Sequence, residues 1–148
     1  MSTVLEKLMA TAPGLLVLID PERTEPAEAA RVAAGAQEAG AAGLLIGTSF
    51  DGTGRTDVVA AAIRGASSLP LILFPASAAH LTAQVDAVLL LSLVSGRNPQ
   101  YLIEEHVRAV PFFSRHAVEA ISTAYILVDG GRITAVEALS QTRPLPAD

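Results

Sequence analysis

The apolar positions of this chain fall in short unbroken runs, not in apolar–polar alternation. LLVLID (15–20), AGLLIGTS (42–49), LPLILFPAS (69–77), DAVLLLSLVS (86–95) and AISTAYILVDGG (120–131) each predict a strand. Strands without polar alternation are buried on both faces, as in a parallel sheet covered by helices. The segments between them predict those helices. PAEAARVAAGAQEAG (26–40) opens on Pro26, which suits a first helical position, and closes on Gly40, which suits the stop. TDVVAAAIRGAS (56–67) reads as a helix with Thr56 as its cap, and SAAHLTAQ (77–84) as a short one. NPQYLIEEHVRAVPFFSRHA (98–117) reads as a helix capped by Asn98, with Pro99 first and Pro111 a kink or break near its end. Asp129-Gly130-Gly131 predicts a turn into RITAVEAL (132–139) as a hairpin partner strand, and the tail TRPLPAD reads as turn.

The result is a βα unit repeated four times before a fifth strand, in one α/β domain over residues 1–148. Two closures satisfy it. One is a partial TIM (β/α)8 barrel with strands 1–5 and four helices; the other is an open doubly wound parallel sheet. Periodicity does not choose between them.

Composition narrows the class of function. The chain is 51% hydrophobic and its mean hydropathy is +0.45. No uninterrupted apolar run approaches the roughly 20 residues of a membrane-spanning helix. Met1 to Ala12 carries Glu6 and Lys7 and lacks a basic-then-apolar signal pattern. With no cysteine, disulfides and thiolate metal sites are excluded. The net charge is −5, Lys7 is the only lysine, and the arginines are dispersed, so the basic stripe of a nucleic-acid binder is missing. These features predict a cytoplasmic protein that handles a small molecule.

Both closures put ligands at the C-terminal ends of the strands. Those ends are Asp20-Pro21, Gly47-Thr48-Ser49, Phe74 to Ser77, Ser92 to Asn98 and Asp129-Gly130, small, polar and acidic where the strands are apolar. Asp20 thus stands either as a turn or helix cap or at the mouth of a site.

The ordered blocks LIDPER, LLIGTS, LPLILFPAS, DAVLLLSLVSGRNPQYLIEEHVRA and AYILVDGG resemble the geranylgeranylglyceryl and heptaprenylglyceryl phosphate synthases, from about residue 15 to the end of the chain. The family pattern S-L-L-N-S-R-N-P-x-x-I-I stands here as SLVSGRNPQYLI. These are (β/α)8-barrel prenyltransferases of ether lipid synthesis. They join the hydroxyl of sn-glycerol 1-phosphate to C1 of a polyprenyl diphosphate and displace pyrophosphate. The resemblance implies that Asp20 ligates Mg²⁺, with Ser49 placing a hydroxyl near the same ion and Pro21 fixing the backbone.

Other residues carry two readings. Phe74 and Pro75 line a prenyl channel or pack the core. Ser92, Ser95 and Arg97 line the diphosphate or prenyl entrance, or Arg97 pairs with a surface acid while Asn98 caps its helix. Tyr125 matches the tyrosine of the fifth-strand block, and a buried Tyr needs a hydrogen-bond partner in any role. Gly52 and Gly54 cradle a phosphate or form a plain turn. His80, His106 and His116 show no metal spacing and are assigned to surface or helix-end positions.

The departures from the family also carry expectations. The Y-L-E-A-G-S-G stretch with the family's base, and its late glycine-rich phosphate loops, do not occur in this sequence. The 148-residue chain alone is expected to be inactive in prenyl transfer, and to assemble as a homo-oligomer or with a partner chain that completes the barrel. The alternatives are a non-catalytic half-barrel assembly and a doubly wound ligand-binding domain. A phospho-acceptor receiver built on Asp20 is disfavoured, because it needs a lysine after the fifth strand.

Overall fold

The five predicted runs form one parallel sheet in the computed structural model, which describes residues 2–47 and 54–147. Its strands are β1 (Leu16–Ile19), β2 (Gly43–Ile46), β3 (Leu71–Leu73), β4 (Ala87–Leu93) and β5 (Glu119–Tyr125), in the spatial order β1-β2-β3-β4-β5. A doubly wound sheet must reverse its strand order at a switch point. This sheet never does, so the doubly wound alternative is set aside and the partial barrel stands.

The helices between the strands are α2 (Pro26–Glu38) and α3 (Thr56–Ala66), then a 3-10 turn (Ala78–His80), then a π turn (Gln100–Glu104) that runs into α4 (Glu105–Phe113). In α2, Ala29, Ala33 and Ala36 are buried at helical spacing, and small side chains there let the helix lie close to its neighbours. Its end is a Schellman closure. Gly40 turns left-handed at φ 78°, its N–H donates to the Gln37 carbonyl, and the Ala41 N–H donates to that of Ala36. In α3, Val59, Ala60 and Ile63 face inward. Thr56, expected as the cap, is instead the first helical residue, and Arg55 precedes it. The short helix expected over 77–84 shrinks to the 3-10 turn, with the Ser77 hydroxyl accepting from the Ala79 N–H.

Two helices depart from the sequence reading. α1 (Val4–Ala10) lies in the stretch read only for targeting signals. It opens on a capping box in which the Thr3 hydroxyl accepts from the Glu6 N–H and the Thr3 N–H donates to the Glu6 carboxylate. The hairpin partner expected over 132–139 is overturned: α5 (Ala135–Ser140) stands there, and Thr134 accepts from the Glu137 N–H. The fifth strand ends at Tyr125, six residues short of its predicted limit. Beyond it, Val128 pairs in an isolated parallel bridge with Leu145, in the tail read as turn.

The core has two parts, one on each face of the sheet. Ile19, Ile46, Leu73 and Val88 align across neighbouring strands and pack with α2 and α3 in the larger cluster. The adjacent row is Leu18, Leu45, Ile72, Ala87 and Glu119. Ile72 and Ala87 are buried there with Val4 and Leu8 of α1. Glu119 fastens α1 to this face, its carboxylate accepting from the N–H groups of Val4 and Leu5, where an anion suits a helix N-terminus. Among the described residues no helix is long and apolar enough to cross a membrane.

Candidate functional site

Beyond the C-terminal ends of β1 to β4 lies a pocket of about 300 Å³. Its walls are apolar: Leu18 from β1, Val88 to Leu91 and Leu93 from β4, Phe74 to Ala76 after β3, and Ala109 from α4. Asp20, Ser77, Tyr101, Glu105, His106 and Tyr125 add polar groups. Gly47 lets the β2 end come close to the next strand, because a Cβ there would collide with the Phe74 carbonyl oxygen.

Asp20 follows directly on β1 and sits at the pocket with its side chain 27% exposed. It caps a turn and also lines the pocket. Oδ1 accepts from the Glu22 N–H at 2.9 Å, which caps the turn. Oδ2 lies 3.6 Å from Arg23 Nε, too long for a strong hydrogen bond. Pro21 is fully buried, so the turn that carries Asp20 is held by packing as well as by its fixed φ.

Phe74 and Tyr125 reach the pocket together. Their rings meet edge-to-face with centroids 5.8 Å apart and planes at 64°, a favoured aromatic geometry. The sheet thereby joins three expected site residues, Asp20, Phe74 and Tyr125, from strands far apart in sequence.

Ser92 and Arg97 do not line this pocket. Ser92 Oγ lies 3.5 Å from both the Leu102 carbonyl and His106 Nε2, on the side toward α4. The Arg97 guanidinium donates to the carbonyls of Ser95 and Gly96, and among the described residues it pairs with no acid. Ser95 is buried and accepts from the Leu127 N–H. Asn98 caps as expected, accepting from the Gln100 N–H, and also donates to the Leu139 carbonyl. This end of β4 therefore anchors the chain around α5. Ser49 and Gly52 lie outside the described residues.

Glu105 and His106 are pocket residues that the sequence reading missed. His106, assigned to a surface or helix-end position, instead lines the pocket with Nε2 2.7 Å from the Leu91 carbonyl. The four-residue spacing of Tyr101, Glu105 and Ala109 was the available signal, since it places them on one helical face.

A family model for the PcrB family matches residues 8–148. The chain belongs to the PcrB family. The geranylgeranylglyceryl phosphate synthase of Chitinophaga pinensis is 39% identical to it over 132 residues, 89% of this chain and 52% of that protein. The protein of the same name in Zunongwangia profunda is 40% identical over 134 residues, 90% of this chain and 57% of that protein. Among solved structures, wild-type GGGPS from Thermoplasma volcanium matches with a TM-score of 0.88 at 28% identity, over 98% of this chain and 59% of that one. The (S)-3-O-geranylgeranylglyceryl phosphate synthase of Thermoplasma acidophilum, in complex with the substrate sn-glycerol-1-phosphate, also gives 0.88, at 30% identity over 99% of this chain and 60% of that one. This PcrB-family chain thus spans between 52% and 60% of the length of these four proteins. The family resemblance seen in the strand blocks is borne out, and so is the partial barrel.

The donor set of this PcrB-family chain bears on a metal. Among the described residues no three His, Asp or Glu side chains gather as a cage. Mg²⁺ does not require one, since it is held by one or two carboxylates, several waters and substrate phosphate oxygens. Asp20, the pocket carboxylate at the end of β1, fits that ion.

Proposed function

We propose that this chain forms the prenyl diphosphate side of a polyprenylglyceryl phosphate synthase, which joins sn-glycerol 1-phosphate to a polyprenyl diphosphate in ether lipid synthesis. One observation carries the reading: one pocket has mostly apolar walls from β1, the stretch after β3 and β4, and the Asp20 carboxylate that follows β1 among its lining groups. A polyprenyl diphosphate has the same polarity, a hydrocarbon tail ending in a dense anion. The names of the relatives and the glycerol phosphate complex of the Thermoplasma acidophilum enzyme support the same substrates.

Asp20 is the residue that would hold Mg²⁺, which when bound neutralises charge on the departing pyrophosphate. Phe74 and Tyr125 wall the pocket, exclude water from the tail and keep its first carbons near the strand ends. Leu18, Leu89 and Leu91 supply further apolar surface, worth about 25 cal/mol for each Å² of tail removed from water.

Titration calorimetry of the chain with geranylgeranyl diphosphate tests this reading. Binding is expected with Mg²⁺ and lost with chelator. Asp20→Asn keeps the shape, removes the charge and is expected to weaken binding about 10- to 100-fold, the worth of one charge-assisted contact. Affinity that ignores both chelator and substitution overturns the assignment of Asp20.

A further inference from the structure

Asp20 and Glu105 are the two carboxylates among the described residues that line the pocket, and Glu105 is the more enclosed, its side chain only 13% exposed. A carboxylate taken this far from water must be repaid by donors, and Glu105 finds them on three different pieces of chain. Oε2 accepts from the Ala78 N–H at 2.6 Å. Oε1 accepts from Gln100 Nε2 at 3.1 Å and from the Arg108 guanidinium at 2.9 Å. Ala78 opens the 3-10 turn after β3, Gln100 opens the π turn after β4, and Arg108 lies one turn along α4.

The segment after β3, with Ser77 and Ala78, and α4, with Glu105, His106 and Ala109, both line the pocket. The bonds from Ala79 and His80 to Ser77, and from Leu81 to Ala78, stay inside the 3-10 turn. The bond from Ala78 to Glu105 crosses to α4. The Glu105 carboxylate therefore joins the wall after β3 to the wall made by α4.

We infer that Glu105 is a positioning residue, a latch that fixes the spacing of these two walls and so sets the fit of the pocket to an apolar tail. This rests on the reading of the pocket proposed above. The bonds of the latch go to Ala78, Gln100 and Arg108 and none to Asp20, so its loss is expected to affect tail binding and spare the anionic head. Without the carboxylate, the Ala78 N–H loses its acceptor and the turn is free to move.

The test uses the full chain with Glu105→Ala, Glu105→Gln and Arg108→Ala. Two properties are measured: amide hydrogen exchange at Ala78, and affinity for geranylgeranyl diphosphate and inorganic pyrophosphate, each with Mg²⁺. Glu105→Ala is expected to speed Ala78 exchange about tenfold or more and to weaken geranylgeranyl diphosphate about 10- to 100-fold, with pyrophosphate affinity unchanged. Glu105→Gln keeps an acceptor for Ala78 and should fall between; it carries the test if the alanine variant does not fold. Arg108→Ala leaves the Ala78 bond in place and should keep that amide protected. Unchanged Ala78 exchange in both Glu105 variants overturns the latch, as does equal weakening of geranylgeranyl diphosphate and pyrophosphate. A wild-type chain that binds pyrophosphate but no geranylgeranyl diphosphate overturns the reading of the pocket itself, and the latch is then judged by Ala78 exchange alone.

Discussion

The two faces of the sheet both carry many apolar residues and are buried very differently. On the face toward α2 and α3, Ile19, Leu44, Ile46, Leu71, Leu73 and Val88 are all buried. On the other face, Ile72 and Ala87 are buried under α1, yet Leu18, aligned with Leu45 one strand away, is 53% exposed. The helical face is completed locally, because each βα unit brings its own helix. The opposite face depends on residues far apart in sequence, and here α1 and Glu119 cover the part near β2 to β5 and leave Leu18 of β1 exposed. The pocket opens where that cover stops and the strands end. The same strands are therefore closely covered on one face and only partly covered on the other.

Four substitutions test that division, in order of expected effect. The largest is Leu44→Ala on the helical face, which should lower unfolding free energy by about 2–5 kcal/mol, the range for emptying a fully buried site; chemical denaturation measures it. Gly47→Ala comes next. Its Cβ has to displace backbone at Phe74, so a loss of about 1–3 kcal/mol is expected, with weaker prenyl diphosphate binding because both residues line the pocket. A Gly47→Ala chain with wild-type stability and affinity would show that the β2 end yields easily.

Glu119→Ala should cost about 1–2 kcal/mol through the two helix N–H groups left without their anionic acceptor, and Val4 amide exchange should rise with it. The smallest effect is expected from Leu18→Ser, under about 0.5 kcal/mol in stability, as for an exposed site, together with a measurable loss of geranylgeranyl diphosphate affinity. A Leu18→Ser loss as large as that of Leu44→Ala would break the comparison. It would mean that the open face is covered in solution, and sedimentation at several concentrations would then reveal whether another copy of the chain covers it.

Much of the fold was legible where the determinants are local. Continuous apolar runs marked all five strands, Pro26 and Gly40 bracketed α2, and Asn98 announced the cap before the π turn. Both unexpected helices were also written locally. α1 and α5 each open on Thr-x-x-Glu, Thr3 with Glu6 and Thr134 with Glu137, a helix start signal that acts within one turn. Asp129-Gly130-Gly131 does turn the chain, with the Asp129 carboxylate accepting from the Gly131 N–H. A turn alone does not make a hairpin, and Thr134 outweighed it.

By itself, the sequence determined the element types, the parallel class of the sheet, the position of Asp20 at a strand end and the family resemblance. These follow from period, caps and residue order, which act over a few residues. Only the tertiary structure decided the strand order that rules out a doubly wound sheet, the meeting of Phe74 with Tyr125, the diversion of Arg97 to its own loop, and the entry of Glu105 and His106 into the pocket. Each of these depends on which distant segments become neighbours. An apolar strand residue looks the same from either face, and a carboxylate in a helical pattern looks solvated, until packing establishes what stands opposite it.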